Sequence, residues 1–286
     1  MKHIYLLILL SIFSCKETIK TEPTISNNKP NDVISEVTND SIILSEKAIT
    51  LELKQKRLIE KSDHRNQLQQ LIIQEKYFKQ TPSYIVDFKY PLLNETINPV
   101  YANFNEYIKE NYVDILGTEA DILKSKEALC DTIKNNRFKE TRYIDYKVYH
   151  VNHQLISILF YKENFYSGTL HPTYSFDCMN FNLNKGVFMS YEDFFKRGSE
   201  DEFAEILNKE ITNQIMNGDM YYDCWEISND AFFDYKNNFV INDNFVEYYF
   251  DDCVMCPAYT GSYSIKIPIV KLLSIVKTHN ANPLII

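Results

Sequence analysis

Two strand-like runs, Thr141–Val151 and Gln154–Tyr166, are separated only by Asn152 and His153, and they constrain this chain more than any other feature. Strand-forming residues on both sides of so short a turn make a β-hairpin the simplest solution. A third run, Tyr174–Leu183, follows the loop Gly168–Pro172 and ends at Asn184-Lys185-Gly186, a turn sequence. Helical spacing precedes these strands. Asn98–Tyr112 carries Val100, Phe104, Tyr107 and Ile108 and starts near Pro99, and Glu119–Asn136 repeats the pattern with Ile122, Leu129 and Ile133. Upstream of both, Tyr84–Tyr90 reads as a strand stopped by Pro91. Downstream, Ser190 and Asp193 have capping-box spacing at the start of a short helix, and Phe203–Met216 is an amphipathic helix closed by Gly218. Phe239–Ile241, Phe245–Phe250 and Tyr263–Ile267 read as strands before a terminal helix over Ile269–Val276. Helices alternating with hairpins predict an α+β fold of mixed/antiparallel sheets with packed helices in two halves, residues 81–175 and 176–280.

A different composition precedes these halves. Residues 41–80 hold helix formers without Gly or Pro, with Leu44, Ala48, Leu51 and Leu58, then Leu68, Leu71, Ile72 and Phe78, near helical spacing. They predict a helical spacer that either lifts the domain off a membrane or packs back on it. Residues 15–40 are polar and lack a periodic apolar face, as expected of a flexible tether. At the start, Lys2 supplies a positive charge, Ile4–Phe13 an apolar run too short to stay as a spanning helix, and Ser14 a small residue before Cys15. Residues 1–14 resemble a bacterial lipoprotein signal peptide. In that reading Cys15 is lipidated, and the mature chain is held at a membrane outside the cytoplasm, in the cell envelope. A plain secretory signal or a single membrane anchor is the alternative. Lys16-Glu17 after the cysteine resembles a surface-export signal.

Charge narrows the partners. The chain carries a formal net charge of -9. Between Ser190 and Thr260 sixteen Asp or Glu stand against four Lys or Arg, a local balance of -12. Such a face repels nucleic acid and attracts cationic partners, although a merely solubilising surface has the same composition. Six Gly against 21 Tyr, with no GxGxxG or Walker-type pattern, argues against phosphate-cradling loops and calls for no cofactor. Tyrosines suit recognition surfaces and also pack within sheets.

Apart from Cys15, five cysteines remain: Cys130, Cys178, Cys224, Cys253 and Cys256. Their odd number leaves at least one outside any set of intramolecular pairs. Cys253-Val-Met-Cys256 has CxxC spacing but runs into the loop Pro257–Gly261, so a structural disulfide, or pairing with Cys178 and Cys224, outweighs a redox centre. Zinc would require Cys178, Cys224, Cys253 and Cys256 to converge, with only one pair at ligand spacing. His150-x-x-His153 flanks a turn and does not present both rings to one side. No HExxH, GxSxG or Ser-Lys pairing occurs, and carboxylates such as Asp251-Asp252 carry no mark of acid–base chemistry. No residue set here asks for an enzyme.

Three segments in order resemble the extracytoplasmic domain of lysozyme-sensing anti-sigma factors, a domain of unknown function also found beside peptidoglycan deacetylase modules. They are Tyr166–Pro172 with Gly168 and His171, then Phe181–Gly186 with Ser190–Phe195, and Phe239–Leu272 with Phe250, Pro257, Tyr259, Gly261 and Ile267-Pro268. Tyr84–Leu92 and the helix after it resemble the companion domain that usually precedes it. The resemblance implies a non-catalytic fold whose loops meet a protein ligand. Pro257, Tyr259 and Gly261 fall in the contact loop, with Gly168 and His171 as neighbours. A lysozyme-like cationic protein is the implied partner, and cell-wall glycan or an accessory role to a wall-modifying enzyme is the alternative. No stretch matches the family's sigma-binding segment or its transmembrane helix, so sigma-factor control is not carried over.

Overall fold

The computed structural model describes residues 55, 56, 58, 70–128, 139–278, 282 and 284. These residues belong to one compact unit. Its first half is a six-stranded sheet in chain order: β1 (Ile72–Gln80), β2 (Tyr84–Leu93), β3 (Glu140–Val151), β4 (Leu155–Phe165), β5 (Thr173–Asn182) and β6 (Val187–Met189). Every neighbouring pair is antiparallel except β2 and β3, which run parallel from Tyr84↔Glu140 to Phe88↔Ile144. Parallel neighbours need a crossover. Here it carries a 3-10 turn (Pro99–Tyr101), α1 (Ala102–Tyr107), a π-helical turn (Ile108–Val113) and α2 (Ile115–Ala128).

The turns are made largely by asparagine. Asn152 Oδ1 accepts from the N–H groups of Gln154 and Leu155 and closes the β3–β4 hairpin. Asn182 does the same for Asn184 and Lys185, and Asn242 for Asn244 and Phe245. A short amide that bonds its own backbone two residues on does the work glycine often does. Gly186 is the exception. Its φ is 67°, and a Cβ there would lie 2.6 Å from the Cβ of Val100, so the turn after β5 packs against the crossover only with a bare backbone.

Period-two alternation sorts β4 onto two faces. Ile156, Ile158 and Phe160 join Val86, Phe88, Ile144 and Phe181 under Phe104, Ile108 and Ile122 of the crossover. Leu159 and Tyr161 face the other way, with Tyr149 and Phe176, onto Val240 and Tyr249 of a second sheet. That sheet is β7 (Phe239–Ile241), β8 (Phe245–Phe250) and β9 (Tyr263–Pro268), all antiparallel. Its far side, with Phe239, Ile241, Tyr248 and Phe250, is covered by α3 (Tyr191–Phe194), α4 (Glu200–Met216) and α5 (Asn229–Tyr235) through Tyr191, Phe203, Leu207 and Phe232. The architecture is therefore α+β, in four layers: helix, sheet, sheet, helix. Polar stitches join the sheets. Asn238 Oδ1 accepts from Cys178 N–H at 2.8 Å, while its Nδ2 donates to the carbonyls of Phe176 and Tyr249, both at 2.9 Å. Asn180 Nδ2 donates to Phe239 O, and Ile241 N–H to Ser157 Oγ.

Several expectations are corrected. Ile72–Gln80 is not part of a helical spacer but β1, held by its pairing with β2. Gln55, Lys56 and Leu58 are helical, and Leu58 packs against the Tyr149 cluster. The other residues of 41–69, the tether, the signal segment and Cys15 lie outside the described residues. β2 continues through Pro91, because its register with β3 ends at Phe88 and Pro91 has only β1 beside it. The boundary expected between 175 and 176 falls inside β5. The end of the chain forms a 3-10 turn, Ile269–Lys271, and a bridge from Val276 to Phe195 in place of a terminal helix. The capping box is formed, with Ser190 N–H donating to Asp193 Oδ2 at 2.8 Å.

Candidate functional site

Two loops of the second half come together where α4 ends and β8 ends. At the helix terminus Gly218 has φ 77°, and Asp219 N–H bonds Gln214 O, so the chain turns sharply away. Met220, Cys224 and Ile227 then point into the core, while Tyr221, Tyr222 and Trp225 stay exposed. Asn208 of α4 clamps the far end, accepting from Ile227 N–H and donating to Ile227 O. The second loop leaves β8 at Asp251 and passes Cys253, whose φ is 62°. It buries Met255 and Cys256 and makes a 3-10 turn over Ala258–Thr260, where Thr260 Oγ1 bonds Pro257 O. Gly261, φ 73°, releases the chain into β9.

Backbone and covalent bonds tie the loops. Trp225 N–H donates to Met255 O at 2.8 Å and its indole Nε1–H to Val254 O at 3.1 Å. Tyr259 OH donates to Asp223. A disulfide joins Cys224 to Cys256. Of the two expectations for the CxxC pair, a partner in Cys224 is realised for Cys256, and a bond between Cys253 and Cys256 is not; Cys178 and Cys253 are outside the bridge. Cys130 lies outside the described residues. Two of the four supposed zinc ligands are thereby consumed, and among the described residues no group of three His, Cys, Asp or Glu could hold a metal ion.

The result is an aromatic face, with Tyr222 86%, Tyr259 56%, Tyr221 48% and Trp225 44% exposed. Acids surround it. From Asp219 to Ser262 the sequence has nine Asp or Glu and one cation, Lys236, which is held by Glu192 and Glu200. Burial, with Asp177 nearby, raises the Asp251 carboxyl above the usual range. The Tyr235 hydroxyl that bonds Asp251 is pushed up to about 12, by burial first and by Asp251 second.

Of the residues singled out in the sequence, Pro257, Tyr259 and Gly261 share this loop, and Tyr259 presents its ring outward. Gly168, φ 88°, and His171 lie in the exposed β4–β5 loop. The hydrogen bonds of that loop run to Glu140, from Ser167, and to its own backbone, from Thr169. Tyr221, Tyr222 and Trp225 were missed. Their signal is legible afterwards as three aromatics around a cysteine directly after a helix-ending glycine.

This architecture has a solved counterpart. The structure of a DUF3298 family protein from Pseudomonas aeruginosa PAO1 matches 74% of this chain and 95% of its own length at a TM-score of 0.51. The two chains share a fold. Their sequences are 15% identical. A member of the same family from Bacteroides fragilis NCTC 9343 matches 72% of this chain and 92% of its own at a TM-score of 0.48 and 13% identity. No family model matches the sequence, and no curated protein does. Among the described residues no helix is long and apolar enough to cross a membrane.

Proposed function

We propose that this is a lipid-anchored, non-enzymatic binding protein of the cell envelope that recognises a cationic protein, lysozyme-like in character, through the aromatic face of the loop pair. The observation that carries the reading is the Cys224–Cys256 bridge. It fixes exposed rings on two loops that share no strand pairing, so little ordering remains for a partner to impose. Aromatic anchors inside an acidic field have the chemistry of a recognition site: charge speeds encounter, and the rings supply buried contact. The bridge also suits an oxidising compartment, in keeping with export through residues 1–14 and attachment at Cys15. Exposed tyrosine and tryptophan rings equally suit stacking on sugars, which keeps cell-wall glycan as the second reading.

A biosensor titration with a lysozyme tests the first reading. Association should slow as salt rises from about 50 to about 500 mM, and Tyr259→Ala should weaken binding by about tenfold. A salt-independent affinity that Tyr259→Ala leaves unchanged sinks the proposal. Retention on purified peptidoglycan without affinity for any basic protein moves the assignment to glycan. Mass spectrometry of membrane-extracted protein should find Cys15 acylated, and Cys15→Ala should release the chain from the membrane.

A further inference from the structure

A second concavity, distinct from the aromatic face, opens beside the edge of β5. β6 covers β5 only from Asn180 to Asn182, and Asp177, Cys178 and Met179 just before it border a cleft of about 600 Å³ between the crossover, β6 and α5. That volume is in the range of small-ligand sites. Its walls combine the rings of Tyr107, Tyr112, Phe188 and Tyr235 with the carboxylates of Asp177, Asp234 and Asp251.

Hydrogen-bonding capacity in these walls is lopsided. Lys162 Nζ sits 3.0 Å from Asp177 Oδ2 and 3.9 Å from the centre of the Tyr112 ring. Tyr112 OH donates to Asp177, Tyr235 OH to Asp251, and Asn238 Nδ2 to two backbone carbonyls. The wall's principal donors are thus engaged internally. Acceptors remain. Asp251 has no cation within ion-pair reach among the described residues, and its burial makes its charge costly. Asn180, 2% exposed, is in the wall with its Nδ2 tied to Phe239 O, but its unpartnered Oδ1 is closed to solvent, so the acceptors a ligand meets are the carboxylates of Asp251 and Asp234.

We infer that this cleft is a binding site for a guanidinium or alkylammonium group. Such a group offers donors and no acceptors, which complements walls with acceptors to spare. Lys162 already shows the mode on one side: a cation between a carboxylate and an aromatic face. The ligand occupies the equivalent place on the other side, between Asp251 and the Tyr235 ring, within reach of Asp234. A sugar hydroxyl or an anion would find fewer donors to meet it.

Calorimetric titration of the full chain with arginine amide tests this, with citrulline amide as the neutral isostere. Arginine amide should bind saturably, and citrulline amide about tenfold or more weaker. Asp251→Asn should weaken arginine amide by about tenfold, whereas Lys162→Met, which frees Asp177 and Tyr112, should strengthen it several-fold. Tyr259→Ala should leave it unchanged, which separates this site from the loop pair. Spermidine compared with the peptide Gly-Arg-Gly distinguishes a free polyamine from a protein side chain as the source. Equal affinity for arginine and citrulline amides, or loss of binding in both Asp251→Asn and Lys162→Met with their folds intact by circular dichroism, overturns the assignment.

Discussion

Replacing both bridge cysteines, Cys224→Ala with Cys256→Ala, is the sharpest test of how the candidate surface is held. The bridge closes a loop with a sequence separation of 32. For a loop of that size, the entropy removed from the unfolded chain corresponds to about 3.7 kcal/mol at 25 °C. Cys256 and its neighbour Met255 are buried in the core with Ile227, and alanine fills most of a cysteine's volume, so packing adds little to that loss. The double variant should therefore unfold with a free energy about 3–4 kcal/mol below the parent, and with a midpoint about 7–15 °C lower for a domain of this size. The denaturant slope should rise, because the unfolded chain is no longer cross-linked. Trp225, the single tryptophan, reports the event directly, since its N–H bonds Met255 O and its indole bonds Val254 O. Urea melts followed by its emission and by far-UV circular dichroism, with and without reductant, give all three quantities. The reduced parent should behave like the double variant. A loss below about 1 kcal/mol with an unchanged slope would refute the view that this bridge organises the loops.

Three further outcomes follow from other contacts. Asn238→Ala leaves Cys178 N–H and the carbonyls of Phe176 and Tyr249 without their amide partner. Urea unfolding should show a loss of about 3 kcal/mol, and a change within error would show that water replaces the amide. The folded pKa of Asp251 lies above its unfolded value, through burial first and Asp177 second, with Asp252 adding and Tyr235 OH opposing. The native state then binds more protons in that window, so stability falls as pH rises through it. Asp251→Asn should accordingly melt higher than the parent at about pH 8 and gain nothing at about pH 3; a pH-independent difference would contradict this. Glu192 behaves oppositely, its pKa lowered chiefly by the Lys236 hydrogen bond. That stability is present above the unfolded carboxylate pKa and is lost as pH falls through the folded one. Lys236→Met should flatten the acid limb of the stability profile, and an unaltered limb would show that the pair is inert.

Elements with their own pattern were legible in the sequence. The β3–β4 hairpin, β5 with its turn, the Ser190 cap, α4 and β7–β9 each combine alternation or helical spacing with a stop signal, so local preference and tertiary structure agree. β1 was not. Along Ile72–Gln80 only Ile72 is buried, and the segment is rich in residues that favour helices. What makes it a strand is the backbone pairing with β2, which leaves no imprint on its own side chains. α5 escaped for a similar reason, since Phe232 is its one fully buried residue. At the candidate site the loop Pro257–Gly261 could be found by resemblance, but its companion could not. The meeting of Cys224 with Cys256 depends on where α4 and β8 end in space, and spacing along the chain left the pairing open among four thiols.

The joint between the two sheets carries the amides of Asn180 and Asn238 and the Ser157 hydroxyl, and beside them Tyr149 OH donates to the buried Glu247 carboxylate and His150 Nε2 lies 3.4 Å from Asp243. The amides and the serine hydroxyl neither gain nor lose a proton under ordinary conditions, whereas a carboxylate does. Acidification that discharges the carboxylates along α4 and α5 therefore strips this protein of much of its negative field, and at the seam it acts on Glu247 and Asp243 while the amide stitches keep their bonds. Two kinds of fastening thus meet at one seam, one indifferent to protons and one that answers to them.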